Sequence, residues 1–275
     1  MNAAGRPRTV LAVGAHPNDI EMFCAGTLAL LKERGWHVIM VTMTPGDLDG
    51  DAPSRSEAAR IRLEQAHRSA ALLAADYYCL EPGECGVFYS DLSTRKATGM
   101  IRATRPDLVL THSALDRLAD HEETSRIIRQ ACWSAPLAAY EVRSFAGGEK
   151  PIRRAPHLYY FDPVDGKDFL GYPVRADLIV DVTSVMNTKE QMLNQLAGRG
   201  EPSDRQRGRE ESLARMRRWN EQRGREVSIP YGEGFNQHTG NAYPRDNLLK
   251  NVLGDLAHLR PAPKGAAGGR GDGPA

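Results

Sequence analysis

The chain has 275 residues, with 36 Lys and Arg against 35 Asp and Glu, a formal charge of +1 and 41% hydrophobic residues. That balance gives no electrostatic case for binding nucleic acid or an anionic membrane, and the apolar content suffices for a sizeable core, unlike that of disordered chains. No run of about 18 apolar residues offers a transmembrane helix. Residues 1–8 lack the apolar core of a signal peptide, and Cys24, Cys79, Cys85 and Cys132 form neither a CxxC pair nor a dense framework, so reduced thiols in a cytoplasm are expected.

In chain order, residues 1–8 and 261–275 are polar or Gly/Pro/Ala-rich and are expected to be disordered ends around a single domain at 9–260. Residues 9–15 form a short apolar run ending at a His-Pro, the pattern of a buried strand. Residues 21–34 space their apolar side chains as one helix, closed by Gly35. A buried strand at 38–42 precedes a long amphipathic helix at 54–75. A strand at 76–80 follows, then a helix at 92–105 halted before Pro106, a strand at 107–111 and a helix at 121–135. Later come strands at 158–161, a candidate edge, and 177–182, with helices at 184–196 and 204–225, the last so charged that it reads as mostly solvated. Strands alternating with helices through residue 135 predict an α/β fold: a Rossmann-like, doubly wound, largely parallel sheet with helices on both faces. Ligands of such sheets bind outside the carboxyl ends of the strands, which directs attention to the residues after 15, 42 and 111.

Two of those ends carry His and Asp. The first strand leads into Ala15-His16-Pro17-Asn18-Asp19-Ile20-Glu21, and the strand at 107–111 leads into His112-Ser113, Asp116 and Asp120-His121. Two imidazoles and a carboxylate, His16, Asp19 and His121, suit zinc with a coordination position left for water, and zinc lowers the pKa of water toward neutrality, which serves hydrolysis. Each piece alone has a plainer reading. His-Pro is commonly a turn, Asp120 an N-cap, and Asp19 and Glu21 first-turn carboxylates at a helix N-terminus. Their joint position at the predicted switch point favours the metal reading. Arg62 in mid-helix defaults to a solvated side chain, His238 to a surface loop that can also fold over the strand ends, Cys24 to the core, and His67 and His157 to structural roles. Asp162-Pro163-Val164-Asp165-Gly166 has turn chemistry and lacks the spacing of a calcium loop.

These segments resemble the PIG-L/LmbE-like family of zinc-dependent N-deacetylases. The family's A-H-P-D-D-x-E is similar to residues 15–21, its Gly-Thr-Leu helix to Gly26-Thr27-Leu28, and its Thr-x-Gly-Asp to Thr44-Pro45-Gly46-Asp47. Its R-x-E-E-A resembles Arg62-Leu63-Glu64-Gln65-Ala66, its R-P-D-x-V-x-T-H the stretch from Arg105 to His112, and its H-x-D-H the run Leu118-Ala119-Asp120-His121. Residues 9–135 resemble the family well, and 177–196 and 231–235 more loosely.

The resemblance implies one zinc per chain on His16, Asp19 and His121. It puts the general base at Asn18, where the family has Asp, and puts Leu118 where the family has a histidine that assists the oxyanion or leaving group. Asp120 is the carboxylate that polarises an active-site histidine, Arg62 a substrate contact and Asp91 an acidic sugar contact. An Asn amide hydrogen-bonds to water but cannot take its proton. Asp116 and Asp120 are therefore the first candidates to replace the base, with Glu21, Asp47, His112 and His238 behind them. His238 is also a candidate substrate contact. The implied function is hydrolysis of an N-acyl group from an amino sugar or glycosylated small metabolite of secondary metabolism. The alternatives are a metal-containing protein that binds a sugar-like ligand without hydrolysis, or a different Lewis-acid reaction. Neither nucleic acid nor membrane is an expected partner, and a homo-oligomer is compatible with the sequence.

Overall fold

The computed structural model describes residues 5–48, 54–81, 86–147, 149–196 and 202–260, with side chains in the last stretch from 207 onward. Strands β1 (Thr9–Gly14), β2 (His37–Thr42), β3 (Asp76–Cys79), β4 (Leu108–Thr111) and β5 (His157–Phe161) run parallel in the order β3-β2-β1-β4-β5. Beyond β5 the sheet turns antiparallel through β7 (Gly232–Gln237), β6 (Leu178–Asp181) and β8 (Ala257–Leu259). The chain moves outward from β1 to β2 and β3, then returns to β4 on the other side of β1. The doubly wound switch point therefore lies between the carboxyl ends of β1 and β4.

Alternation along the strands feeds two cores. Val10, Ala12, Val38, Met40, Leu108 and Leu110 point to one face, against helices α1 (Asp19–Phe23), α2 (Ala25–Glu33), α3 (Arg55–Ala71), α6 (Met186–Asn194), α7 (Pro202–Arg225) and α8 (Leu248–Leu253). Leu11, Val13, Ile39, Val41 and Val109 point to the other, against α4 (Asp91–Thr104) and α5 (Ala119–Ser134). Both faces of the parallel strands are buried, which is why they read as continuous apolar runs.

Several expectations need correction. The single helix expected at 21–34 is two helices, because Cys24 leaves helical geometry at φ −144° and ψ 5°. The break is set from far along the chain: Glu233 of β7 accepts the N–H groups of Gly26 (2.9 Å) and Thr27 (2.7 Å) at the start of α2, and Lys189 Nζ donates to the same carboxylate at 2.6 Å. Strand β5 is interior, flanked by β4 and β7, and not an edge. Helix α7 is mostly solvated, as expected, but carries a buried stripe. Met216, Asn220 and Arg223 are buried, and Arg223 makes a two-pronged pair with buried Asp162 at 2.7 and 2.6 Å. Strand β7 was not anticipated, since its sequence GEGFNQ hides the alternation behind glycines. Gly234 is required there, because a Cβ would lie 2.5 Å from Asp162 Oδ2.

At the N-terminus, residues 6–8 are tied down rather than disordered. The His37 N–H donates to the Arg8 carbonyl (2.8 Å), Arg6 donates to the Arg105 carbonyl, and the Arg8 guanidinium lies over Trp36. The remainder of the expected tails, 1–4 and 261–275, lies outside the described residues. Among the described residues no helix is long and apolar enough to cross a membrane.

Candidate active site

The turn after β1 is built by sterics and one carboxylate. Gly14 lets Asp19 come close: a Cβ there would lie 2.9 Å from the Asp19 Cβ. Asn18 takes a left-handed conformation, φ 107° and ψ −19°, which Asn tolerates better than most residues with a Cβ. Asp19 then opens α1, its Oδ2 accepting the His16 N–H at 2.8 Å. From the neighbouring strand end, the first turn of α5 delivers His121, whose Nε2 is 3.5 Å from Asp19 Oδ1. His16 Nδ1 is 3.6 Å from Asp19 Oδ2. The three potential ligand atoms lie within 4.8 Å of one another.

The far nitrogen of each imidazole meets a carboxylate. His16 Nε2 is 2.9 Å from Asp120 Oδ2, and His121 Nδ1 is 3.0 Å from Asp116 Oδ2. Metal-binding histidines are usually held in tautomer and orientation this way. Two carboxylate-backed imidazoles and one buried carboxylate fit a divalent ion of the zinc type.

That support role redefines the two candidate bases. Asp116 is fully buried, its Oδ1 accepting the Leu118 N–H (3.1 Å) and its Oδ2 also accepting the Val164 N–H (3.3 Å), so it has no approach to a substrate. Asp120 does face the cavity, but one oxygen is engaged by His16 and the other accepts the Val87 N–H at 3.3 Å. A second cluster, His112, Asp116 and His121, is closed off. His112 is fully buried, stacks on His121 with ring centroids 3.8 Å apart, and uses Nε2 to accept the Ala15 N–H (3.0 Å).

Electrostatics separate these histidines. At His16 and His121 burial opposes the charged ring but is outweighed. Asp120 and Asp19 hold His16 up at about 9, and Asp19 and Asp116 hold His121 up at about 10. Burial also opposes a charged Asp19, yet His121 and His112 keep it well below the usual carboxylate range. At His112 burial, reinforced by His121, wins, and the ring is pushed down to about 4. His16 and His121 are thus favoured as cations near neutrality, and a metal bound there would have to displace their protons.

The cluster opens into a cavity of about 970 Å³. Asn18, Thr44, Asp47, Arg62 and Leu118 line it from the amino-terminal part of the chain, and Asp165, Lys167, Arg215, Arg218 and Trp219 from the carboxyl-terminal part. Arg62 is buried and reaches in from α3 to donate to the Pro17 carbonyl at 2.7 Å. Gly46, at φ +70°, lets the turn after β2 pass beneath it, where a Cβ would meet Pro17 Cδ at 3.2 Å. Leu118 is 46% exposed and presents an apolar side chain.

Three expectations are not brought to the cavity. Asp91 sits exposed in the first turn of α4, paired with Arg95 at 2.7 Å. His238 packs behind, with a 3.1 Å contact between its Nδ1 and the Tyr160 hydroxyl and its ring against Tyr243. Glu21 is buried and accepts the Ser69 hydroxyl at 2.6 Å. Conversely, no motif or spacing pointed to Lys167, Arg218 or Trp219. The turn signal at 162–166 was the only local hint, and it does form, as a 3-10 turn at Val164–Gly166.

Residues 11–132 match the family described as PIG-L, GlcNAc-PI de-N-acetylase. The chain is 28% identical over 149 residues to the uncharacterized deacetylase YaiS of Escherichia coli K12, spanning 52% of this chain and 79% of that protein. It is 25% identical over 199 residues to the 4-oxalmesaconate hydratase of Pseudomonas putida KT2440, spanning 70% and 74%. Among solved structures, the N,N'-diacetylchitobiose deacetylase of Pyrococcus horikoshii shares the fold, with a TM-score of 0.72 at 23% identity over 88% of this chain and 87% of that one.

Proposed function

The domain at residues 11–132 belongs to the PIG-L family, and from that premise we propose that the protein is a zinc-dependent hydrolase, with one ion per chain, that removes an N-acyl group from an amino sugar or glycosylated small metabolite. The observation that supports this reading most is the carboxylate-backed set His16, Asp19 and His121 opening into the cavity at the switch point. His16, Asp19 and His121 would hold the zinc, which would supply Lewis acidity toward an acyl oxygen and water. The side chains divide the remaining work. Asp120 and Asp116 fix the two imidazoles, so the donor atoms are aimed before any ligand arrives. The Asn18 amide orients water or an acyl oxygen by hydrogen bonding but takes no proton. Leu118 presents an apolar surface to the cavity where the family has a histidine. Without the family's carboxylate at position 18, hydrolysis is slower by the usual worth of a general base, about 10²–10⁴.

The test is acetate and primary amine released in equal amounts from a panel of N-acetylated amino sugars. Release should stop with a chelator, return with zinc, and rise about 10² or more in Asn18→Asp. Activity indifferent to chelation would overturn the reading.

A second reading rests on the same two departures and on the hydratase relative. With Asn18 and Leu118 in place of a proton acceptor and a histidine, the site also suits addition of water across a polarised carbon–carbon double bond. That reaction expels no amine. A hydrated product without amine or carboxylate release would favour it.

A further inference from the structure

The charges lining the cavity do not cancel once their partners are counted. Asp19 belongs to the His/Asp cluster, Asp120 faces His16 at 2.9 Å, and Asp47 is paired with Arg55 at 2.5 Å. Asp165 is paired twice, with Arg117 (2.6 Å) and Arg215 (2.8 Å). Each lining carboxylate is therefore committed. The side chains of Lys167 and Arg218, which also line the cavity, have no hydrogen-bond or ion-pair partner among the described residues. The contrast along α7 is internal to one helix. Arg217 pairs with Glu190, Arg223 with Asp162 and Arg225 with Glu221, while Arg218 faces the cavity alone.

The wall that presents these cations is fixed. Buried Asp162 accepts two bonds from Arg223 and one from Trp219 Nε1 at 3.2 Å. Gly166, at φ +62°, sits so close to the Trp219 ring that a Cβ would come within 2.0 Å of it. The Val164 N–H is bound to Asp116, and the Val174 N–H to the Gly166 carbonyl at 2.8 Å. Lys167 leaves the end of this tethered turn, and Arg218 immediately precedes Trp219. Two unpaired cations in a concave site concentrate positive potential, and a bound divalent ion adds to it.

We propose that Lys167 and Arg218 bind an anionic group of the substrate, a carboxylate or a phosphate, on the cavity wall built by the Val164–Gly166 turn and α7. The inference deepens the hydrolase reading by making the substrate an anionic N-acylated compound, but anion binding itself does not require turnover.

Calorimetric titration of the zinc-loaded protein with inorganic phosphate and, separately, with glutarate tests it, against the double variant Lys167→Gln/Arg218→Gln. Loss of about ten- to hundredfold in affinity for at least one anion is expected, the magnitude of charge-assisted hydrogen bonds, and the anion bound more tightly identifies the source. The charge-preserving variant Lys167→Arg/Arg218→Lys should retain binding, which separates recognition from a folding defect. Equal affinities in wild type and double variant, or no binding in wild type, would overturn the proposal. Acetate release from N-acetylglucosamine 6-phosphate and from N-acetylglucosamine keeps the two readings apart. Where phosphate is the anion bound, equal kcat/KM on both contradicts the anion site and leaves the hydrolase intact. Anion binding lost in the double variant, without acetate release from any substrate, does the reverse.

Discussion

The sheet from β1 to β4 and the sheet from β5 to β8 reach the same cavity by opposite means. The first is parallel, and it presents His16, Asp19 and His121 from two adjacent strand ends. The second is largely antiparallel, and together with α7 it supplies a wall of charged and aromatic side chains, held in place by buried ion pairs. The chemistry in the first region depends on the local turn after each strand, whereas the shape of the second depends on contacts between residues far apart in the chain. Asp162 and Arg223 are one such contact; Lys189, Glu233 and the start of α2 are another.

Substitutions should separate the two regions. The largest effect belongs to the wall. Asp162→Ala leaves Arg223 buried without its carboxylate, and a drop in unfolding free energy of about 3–5 kcal/mol is expected by chemical denaturation. A change below about 1 kcal/mol would show that α7 is anchored by its apolar contacts instead. The metal side is next. Asp116→Asn removes the carboxylate behind His121 without touching the cavity, and zinc affinity should fall about 10- to 100-fold. Unchanged affinity would mean that Asp116 serves only the turn at Val164.

The smallest effect is a pH signature confined to the first region. In the metal-free protein His16 and His121 are raised from 6.5 to about 9 and about 10. Their contribution to stability is full below the unfolded value and is lost as pH rises through those two values. Near neutrality, zinc must displace protons from both rings, so its affinity should climb with pH toward that range. Calorimetry in buffers of different ionisation enthalpy should detect the released protons, and their absence would place the metal elsewhere.

The same contrast explains what could be read from the sequence. Strands β1, β2 and β4 are buried on both faces, so their apolar runs stand out, and the switch-point rule led directly to His16, Asp19 and His121. The resemblance implied that Asp120 polarises a histidine, but only geometry shows that it backs His16 and that Asp116 backs His121. The split between α1 and α2 was invisible because its cause, Glu233, lies more than two hundred residues downstream. Strand β7 was masked by two glycines, Gly234 needed for the close approach of Asp162 and Gly232 for that of Ile179, and α7 by arginines whose partners come from other elements. Asp91 and His238 were placed by family position or loop character alone, and neither reaches the cavity.

The central claim is that one divalent ion is held by His16, Asp19 and His121. Anomalous diffraction at the zinc edge from crystals of the zinc-loaded protein tests it most directly. A single strong peak per chain is expected among these three side chains, absent in His121→Ala. A peak among His112, Asp116 and His121, or none in fully loaded crystals, would contradict it.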